Sequence, residues 1–117
     1  MSIMASIQRV CPALQAEYGD EPVPVKRFNE AVATDCGCSV DSVLVSDRCY
    51  NRHNDGSSVK LTDPKLFKYV RRGFYKYVGP SYPYSGPIYQ KPKGSKKELI
   101  IGERLNGVLV INNSRAA

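Results

Sequence analysis

The stretch LFKYVRRGFYKYV, residues 66–78, leaves this chain few folds to choose from. Two runs of alternating apolar and polar character meet at Arg71-Arg72-Gly73. Alternation with a period of two sends successive side chains to opposite faces of a strand, and glycine accepts the positive φ of a tight turn. The pattern predicts an antiparallel hairpin with Phe67 and Tyr69, or Tyr75 and Tyr77, on its buried face. A second hairpin is predicted in ELIIGERLNGVLVINN, with Asn106-Gly107 as its turn. Between the two, residues 79–97 hold four prolines and three glycines and read as a loop.

Two hairpins need something to pack against, and the first half of the chain supplies it. Ile3, Ile7, Val10, Cys11 and Leu14 follow helical spacing, and Pro12 marks a start or a bend. Residues 18–24, YGDEPVP, form a breaker cluster. A second helix is predicted in VKRFNEAVATDCG, with Pro24 in its first turn, Phe28, Ala31 and Val32 inward, and Gly37 as its stop. After the connector at 38–45, Ser46 reads as a helix cap and Asp47 suits the positive end of a helix. SDRCYNRHN is thus expected to form a third helix of about two turns. Cys49 and Tyr50 would face the core, and Arg48, Asn51 and Arg52 would face outward. A turn is expected at 54–58 and a frayed tail in the last residues, SRAA.

The expectation is one α+β domain over residues 1–117. Its helical part spans 3–53 and its β-hairpin part 58–113, with the loop at 79–97. Three N-terminal helices followed by β-hairpins is the order of a winged-helix-like fold, an elaboration of the helix-turn-helix whose third helix reads DNA.

Charge points the same way. The net charge is +6, but residues 1–59 carry five Lys/Arg against eight acids, whereas residues 60–97 carry ten against Asp63 alone. One sign concentrated in one part of a chain predicts a polyanionic partner; the plainer reading is a solvated basic hairpin. Seven of the eight tyrosines lie between 50 and 89, among those cations. Lysine and arginine neutralise phosphates, and exposed rings stack on unpaired bases. Lys68, Arg71, Arg72, Lys76, Lys91 and Lys93 are the candidate contacts in the basic part, with Tyr82 and Tyr84 in the loop. The alternative for the two tyrosines is bracing against Pro83 and Pro87. On the third helix, arginine can bond guanine and asparagine can bond adenine, which nominates Arg48, Asn51 and Arg52. The competing reading has Asn51 capping the helix and Arg48 paired with Asp41 or Asp47.

SDRCYNRHNDG, LFKYVRRGFYKYVGPSYPYSGPIY and KPKGSKKELIIGERLNG together resemble a bacterial module. It is found beside HNH and restriction-type endonucleases and as a stand-alone small protein of the mobile-gene-cassette type. A Ser-Asp-x-Cys-Tyr-Asn box, a Leu-Phe-x-Tyr-x-x-x-Gly-x-Tyr-x-Tyr-x-Gly run and a Tyr-Pro-Tyr-x-Gly-Pro loop carry the resemblance, over about residues 44–107. It implies a winged-helix-like fold that binds nucleic acid. It marks Ser46, Asp47, Cys49, Tyr50, Asn51, Tyr75, Tyr77, Tyr82, Tyr84 and Gly86 as motif positions.

Other chemistries have less behind them. Cys36, Cys38, Cys49 and His53 are zinc-type ligands, but their spacing matches no common zinc signature, so free thiols and no metal or cofactor are expected. An HNH site needs several histidines, and the chain has one. A Cys49–His53 nucleophile pair lacks an identifiable oxyanion site. Non-catalytic DNA binding, with no small-molecule substrate, is the expectation. A homodimeric assembly module and a single-strand or RNA binder are the alternatives. No apolar run approaches the ~20 residues that cross a bilayer, and the first residues lack the pattern of a signal peptide. A cytoplasmic setting is expected.

Overall fold

A computed structural model describes residues 2–54, 59–92, 94 and 96–110 of the chain. The fold is α+β. Helix α1 spans Ile3–Tyr18 and is capped by Ser2, whose hydroxyl accepts from the Ala5 amide at 3.3 Å. It runs through Pro12, which lies on its exposed side, and buries Ile7, Cys11 and Leu14. Helix α2, Val25–Cys36, buries Phe28, Val32 and Ala33. It ends at Gly37, whose left-handed conformation (φ 73°, ψ 27°) is one that glycine adopts without a Cβ penalty.

The breaker cluster before α2 holds a short strand as well. Strand β1, Val23–Pro24, pairs antiparallel with β3 (Phe74–Tyr77), which forms the predicted hairpin with β2 (Phe67–Arg71). The order is β1-β3-β2, with Gly73 at φ 80° in the hairpin turn. A register shift between Tyr69 and Arg71 marks a bulge near the tip. Gln15 ties α1 to this sheet: its carboxamide oxygen accepts from the Tyr77 amide at 2.9 Å.

The proline-rich segment at 79–97, expected to be loop throughout, contains strand β4 at Gly86–Gln90. β4 pairs with β5 (Leu99–Leu105), and β5 pairs with β6 (Val108–Val110), giving a second antiparallel sheet of order β4-β5-β6. Asn106 and Gly107 (φ 51° and 84°) make the predicted turn with both central residues left-handed, the geometry that matches the twist of a hairpin.

The expected third helix is absent. Two 3₁₀ turns, Val40–Ser42 and Val45–Asp47, stand before an extended ribbon. Leu44 sits in the left-handed region (φ 58°, ψ 45°), which breaks helical continuity. The Arg48 amide still closes the turn onto Val45, but from the Arg48 carbonyl onward the backbone bonds to residues far along the chain. The Arg48 carbonyl accepts from the amides of Leu66 and Phe67, and the Tyr50 amide donates to Phe67. The Asn51 carbonyl then accepts from Tyr89, and the His53 amide donates back to it. The ribbon therefore forms parallel bridges to both sheets, Cys49 to Phe67 and Arg52 to Tyr89. Ser46 sits inside the second 3₁₀ turn instead of at a helix cap: its hydroxyl and the Asp47 carboxylate both accept from the Asn54 side chain, at 2.8 and 2.7 Å.

The main core lies between α1, α2, the first sheet and the ribbon. Ile7, Phe28, Val32, Val43, Cys49, Leu66 and Phe67 are all sealed within it. Phe28 meets Phe67 edge-on with centroids 5.0 Å apart. No helix among the described residues is long and apolar enough to cross a membrane. The turn expected at 54–58 lies, past Asn54, outside the described residues, as does the tail SRAA.

Candidate nucleic-acid interface

The β2–β3 hairpin gathers four of the predicted contacts. Phe67 opposes Tyr77 and Tyr69 opposes Tyr75, both pairs edge-on with centroids 5.5 Å apart, and these rings face the core. Lys68 and Lys76 oppose each other on the other face. Like charges directly across a sheet repel, so this pairing favours an anion in front of it. At the tip, Arg71 and Arg72 are exposed, and the Arg71 guanidinium lies 4.3 Å from the Phe74 ring centroid. That stacking holds the guanidinium plane while leaving its edge for acceptors. Among the described residues none of these four cations is in an ion pair. Lys91 is exposed just beyond β4, and Lys93 lies outside the described residues.

The residues assigned to a reading helix do other work, because the helix is not there. Arg48 is half-buried; its Nε donates to the Val43 carbonyl at 2.9 Å and one terminal nitrogen to the Met4 sulfur at 3.1 Å. Burial holds its pKa below the usual arginine range, partly offset by Asp47 and Asp63. Asn51 copies a strand backbone with its side chain. Its amide donates to the Tyr69 carbonyl and its oxygen accepts from the Tyr69 amide, both at 2.9 Å. Arg52 is ion-paired to Glu98 at 2.5 Å and lies 4.5 Å over the Tyr69 ring. Asn51 thus has both donor and acceptor engaged within the fold, and Arg48 and Arg52 each commit part of their guanidinium to it.

Of the contacts in the bracing alternative, Tyr84 makes the one to Pro87, and Tyr82 packs on Tyr50 instead of a proline. The Tyr84 hydroxyl donates to the Pro87 carbonyl at 2.7 Å, and a Cβ at Gly86 would lie 2.9 Å from the Tyr84 hydroxyl oxygen. Tyr82 packs 5.7 Å from the ring of Tyr50, whose hydroxyl donates to the Gly79 carbonyl. The β5–β6 turn locks onto this loop: the Gly107 amide donates to the Tyr84 carbonyl at 2.7 Å.

The zinc-type residues are not gathered. Cys49 is sealed in the core, where its thiol donates to the Val45 carbonyl at 3.4 Å, and burial pushes its pKa far up, the reverse of an activated nucleophile. Cys36 and Cys38 flank the end of α2, and among the described residues no three metal-ligating side chains converge. Burial also pushes His53 down, helped by the positive charge of Lys65. Its Nδ1 is buried without a hydrogen-bond partner among the described residues.

Two buried cations escaped the sequence reading: Lys65, counted only as charge, and Arg104. Arg104 donates to the carbonyls of Tyr50 and Leu61. A basic residue inside a short charged run carries no mark of burial, so no local signal singles out either one.

Residues 3–111 match the model of a family described as Domain of unknown function (DUF7225). The chain is also similar to "Uncharacterized protein YnaC" of Bacillus subtilis (strain 168), 39% identical over 105 residues. That alignment covers 90% of this chain and 32% of the relative, so the chain spans about a third of that protein's length. No solved structure matches the chain.

Proposed function

The chain belongs to the DUF7225 family, and for this member of it we propose non-catalytic binding of duplex DNA through the β2–β3 hairpin. The observation that carries the reading is the opposed Lys68–Lys76 pair below Arg71 and Arg72, four cations on one hairpin without a carboxylate partner among the described residues. Phosphates relieve that repulsion, and the exposed tip has the slender shape of a wing that enters a groove. The helix–strand–helix start and the sheet order β1-β3-β2 support a winged-helix-like architecture. In it the ribbon 48–53 replaces the reading helix, so contact falls to the hairpin and is governed by backbone charge and groove shape more than by base edges.

Fluorescence anisotropy with duplex and single-stranded DNA across a salt series tests this. Four phosphate contacts give a log–log salt slope of about −3.6, a loss of roughly 150-fold between 50 and 200 mM salt. Arg71→Ala/Arg72→Ala flattens that slope by about 2. Arg48→Ala/Arg52→Ala lowers stability and leaves the slope unchanged. Duplex binding that ignores the hairpin pair defeats the reading, and a preference for unpaired strands favours the single-strand alternative.

A second reading, self-assembly, has its own support. Leu105 and Val108 oppose each other on the second sheet and are 60% and 67% exposed, and β6 is that sheet's outer strand. An apolar outer strand is a template for pairing with the same strand of a second copy.

A further inference from the structure

Lys65 is 3% exposed and Arg104 is 6% exposed, yet neither has a carboxylate in ion-pair contact among the described residues. Neutral oxygens hold them. Lys65 Nζ donates to the carbonyls of Lys60 at 2.8 Å and Asp47 at 3.2 Å. Arg104 Nε donates to the Tyr50 carbonyl at 2.8 Å, and a terminal nitrogen to that of Leu61 at 3.3 Å. Both cations line one cavity of about 390 Å³, together with Tyr50, Thr62, Asp63 and Gly107. Among the described residues Asp63 is the single acid in the lining, and its carboxylate already accepts from the Lys60 amide at 2.9 Å.

Burying a cation without a counter-charge costs free energy that an anion alongside recovers. The described residues of the lining keep a surplus of one positive charge beside an open volume several times that of a small oxyanion. The rest of the wall is a tyrosine, two prolines (Pro64 and Pro80) and the aliphatic Val108 and Leu109, a surface for an organic group. We propose that this cavity binds a phosphate monoester, with the phosphate between Lys65 and Arg104 and its organic part against Tyr50 and the prolines. None of Lys68, Arg71, Arg72 or Lys76 lines it, so the site is separate from the hairpin and stands or falls without the duplex reading.

Burial, reinforced by Arg104, holds Lys65 down to about 8, against the opposing pull of Asp63, Cys49 and Asp47. His53 also lies within electrostatic reach of this group. An anion favours the charged ammonium, so binding takes up a proton near pH 8 and weakens as the pH rises beyond it.

Isothermal titration with inorganic phosphate and with adenosine 5′-monophosphate is the test. Both probes are expected to bind at one site, the nucleotide more tightly. Lys65→Met weakens both by about tenfold or more, the worth of one charge-assisted contact. Asp63→Asn keeps an acceptor for the Lys60 amide, removes the only acid among the described lining residues, and tightens binding by about threefold. That gain is one a merely unfolded variant cannot show. A 5′-phosphorylated single strand against its 5′-hydroxyl twin separates a nucleic-acid end from a free nucleotide. Absence of saturable binding by every probe overturns the proposal. So does binding that Lys65→Met leaves intact, or that Asp63→Asn weakens.

Discussion

At the scale of single residues, a side chain with rich recognition chemistry can be spent on holding the fold. Asn51 is the clearest case. An asparagine amide carries the same donor and acceptor as a peptide, so at the edge of β2 it supplies one further rung to Tyr69. Asn51→Ala strands both Tyr69 groups in a half-buried setting and is expected to cost roughly 1–3 kcal/mol, read as a lowered urea midpoint. The sequence shows an Asn beside two arginines; which neighbour it bonds depends on a strand eighteen positions away. The cysteines divide in the same way. Cys11, pushed up to about 12 by burial, and Cys49 are sealed, whereas Cys36 and Cys38 are partly exposed. An aromatic disulfide reagent at neutral pH is expected to titrate two thiols in the native protein and all four in denaturant. Rapid reaction of all four without denaturant would contradict the core described above.

At the scale of elements, the hairpins were legible because their signals are local. Alternation and the turn residues Gly73 and Asn106-Gly107 specify each hairpin within a dozen residues. The ribbon 48–53 and strands β1 and β4 were not legible. Their strand character comes from partners far along the chain, and for β1 and β4 it overrides a proline-rich composition that reads as loop. Ser46 misled for a related reason: a hydroxyl before a short polar run is a cap only when a helix follows it. The two turn glycines now differ in a testable way. Both hold positive φ, but nothing lies near a Cβ at Gly73, whereas a Cβ at Gly107 meets the Tyr82 carbonyl. Gly73→Ala is expected to cost about 1 kcal/mol from backbone strain alone. Gly107→Ala adds displacement of the tyrosine loop, so its melting temperature falls further than that of Gly73→Ala. Equal losses would mean that the turn and the loop are not locked together.

At the scale of the whole molecule, charge and apolar surface are sorted to different places. Cations crowd the β2–β3 hairpin, while Leu99, Ile100, Leu105 and Val108 stand exposed on the second sheet. The first feature was readable as a count along the chain. The second was not, because the same residues would be core if another layer covered them. If the second sheet pairs with a copy of itself, Val108→Lys converts a dimer to a monomer in light scattering without lowering the melting temperature of the monomer. A wild-type chain that is monomeric at high concentration rejects self-assembly. Either result leaves the hairpin open to DNA. The ribbon has one more consequence. It shares backbone hydrogen bonds with β2 through Arg48 and Tyr50 and with β4 through Asn51 and His53. The two sheets are therefore stitched along a common seam, and a pull at one hairpin tip is borne by both before either can peel away.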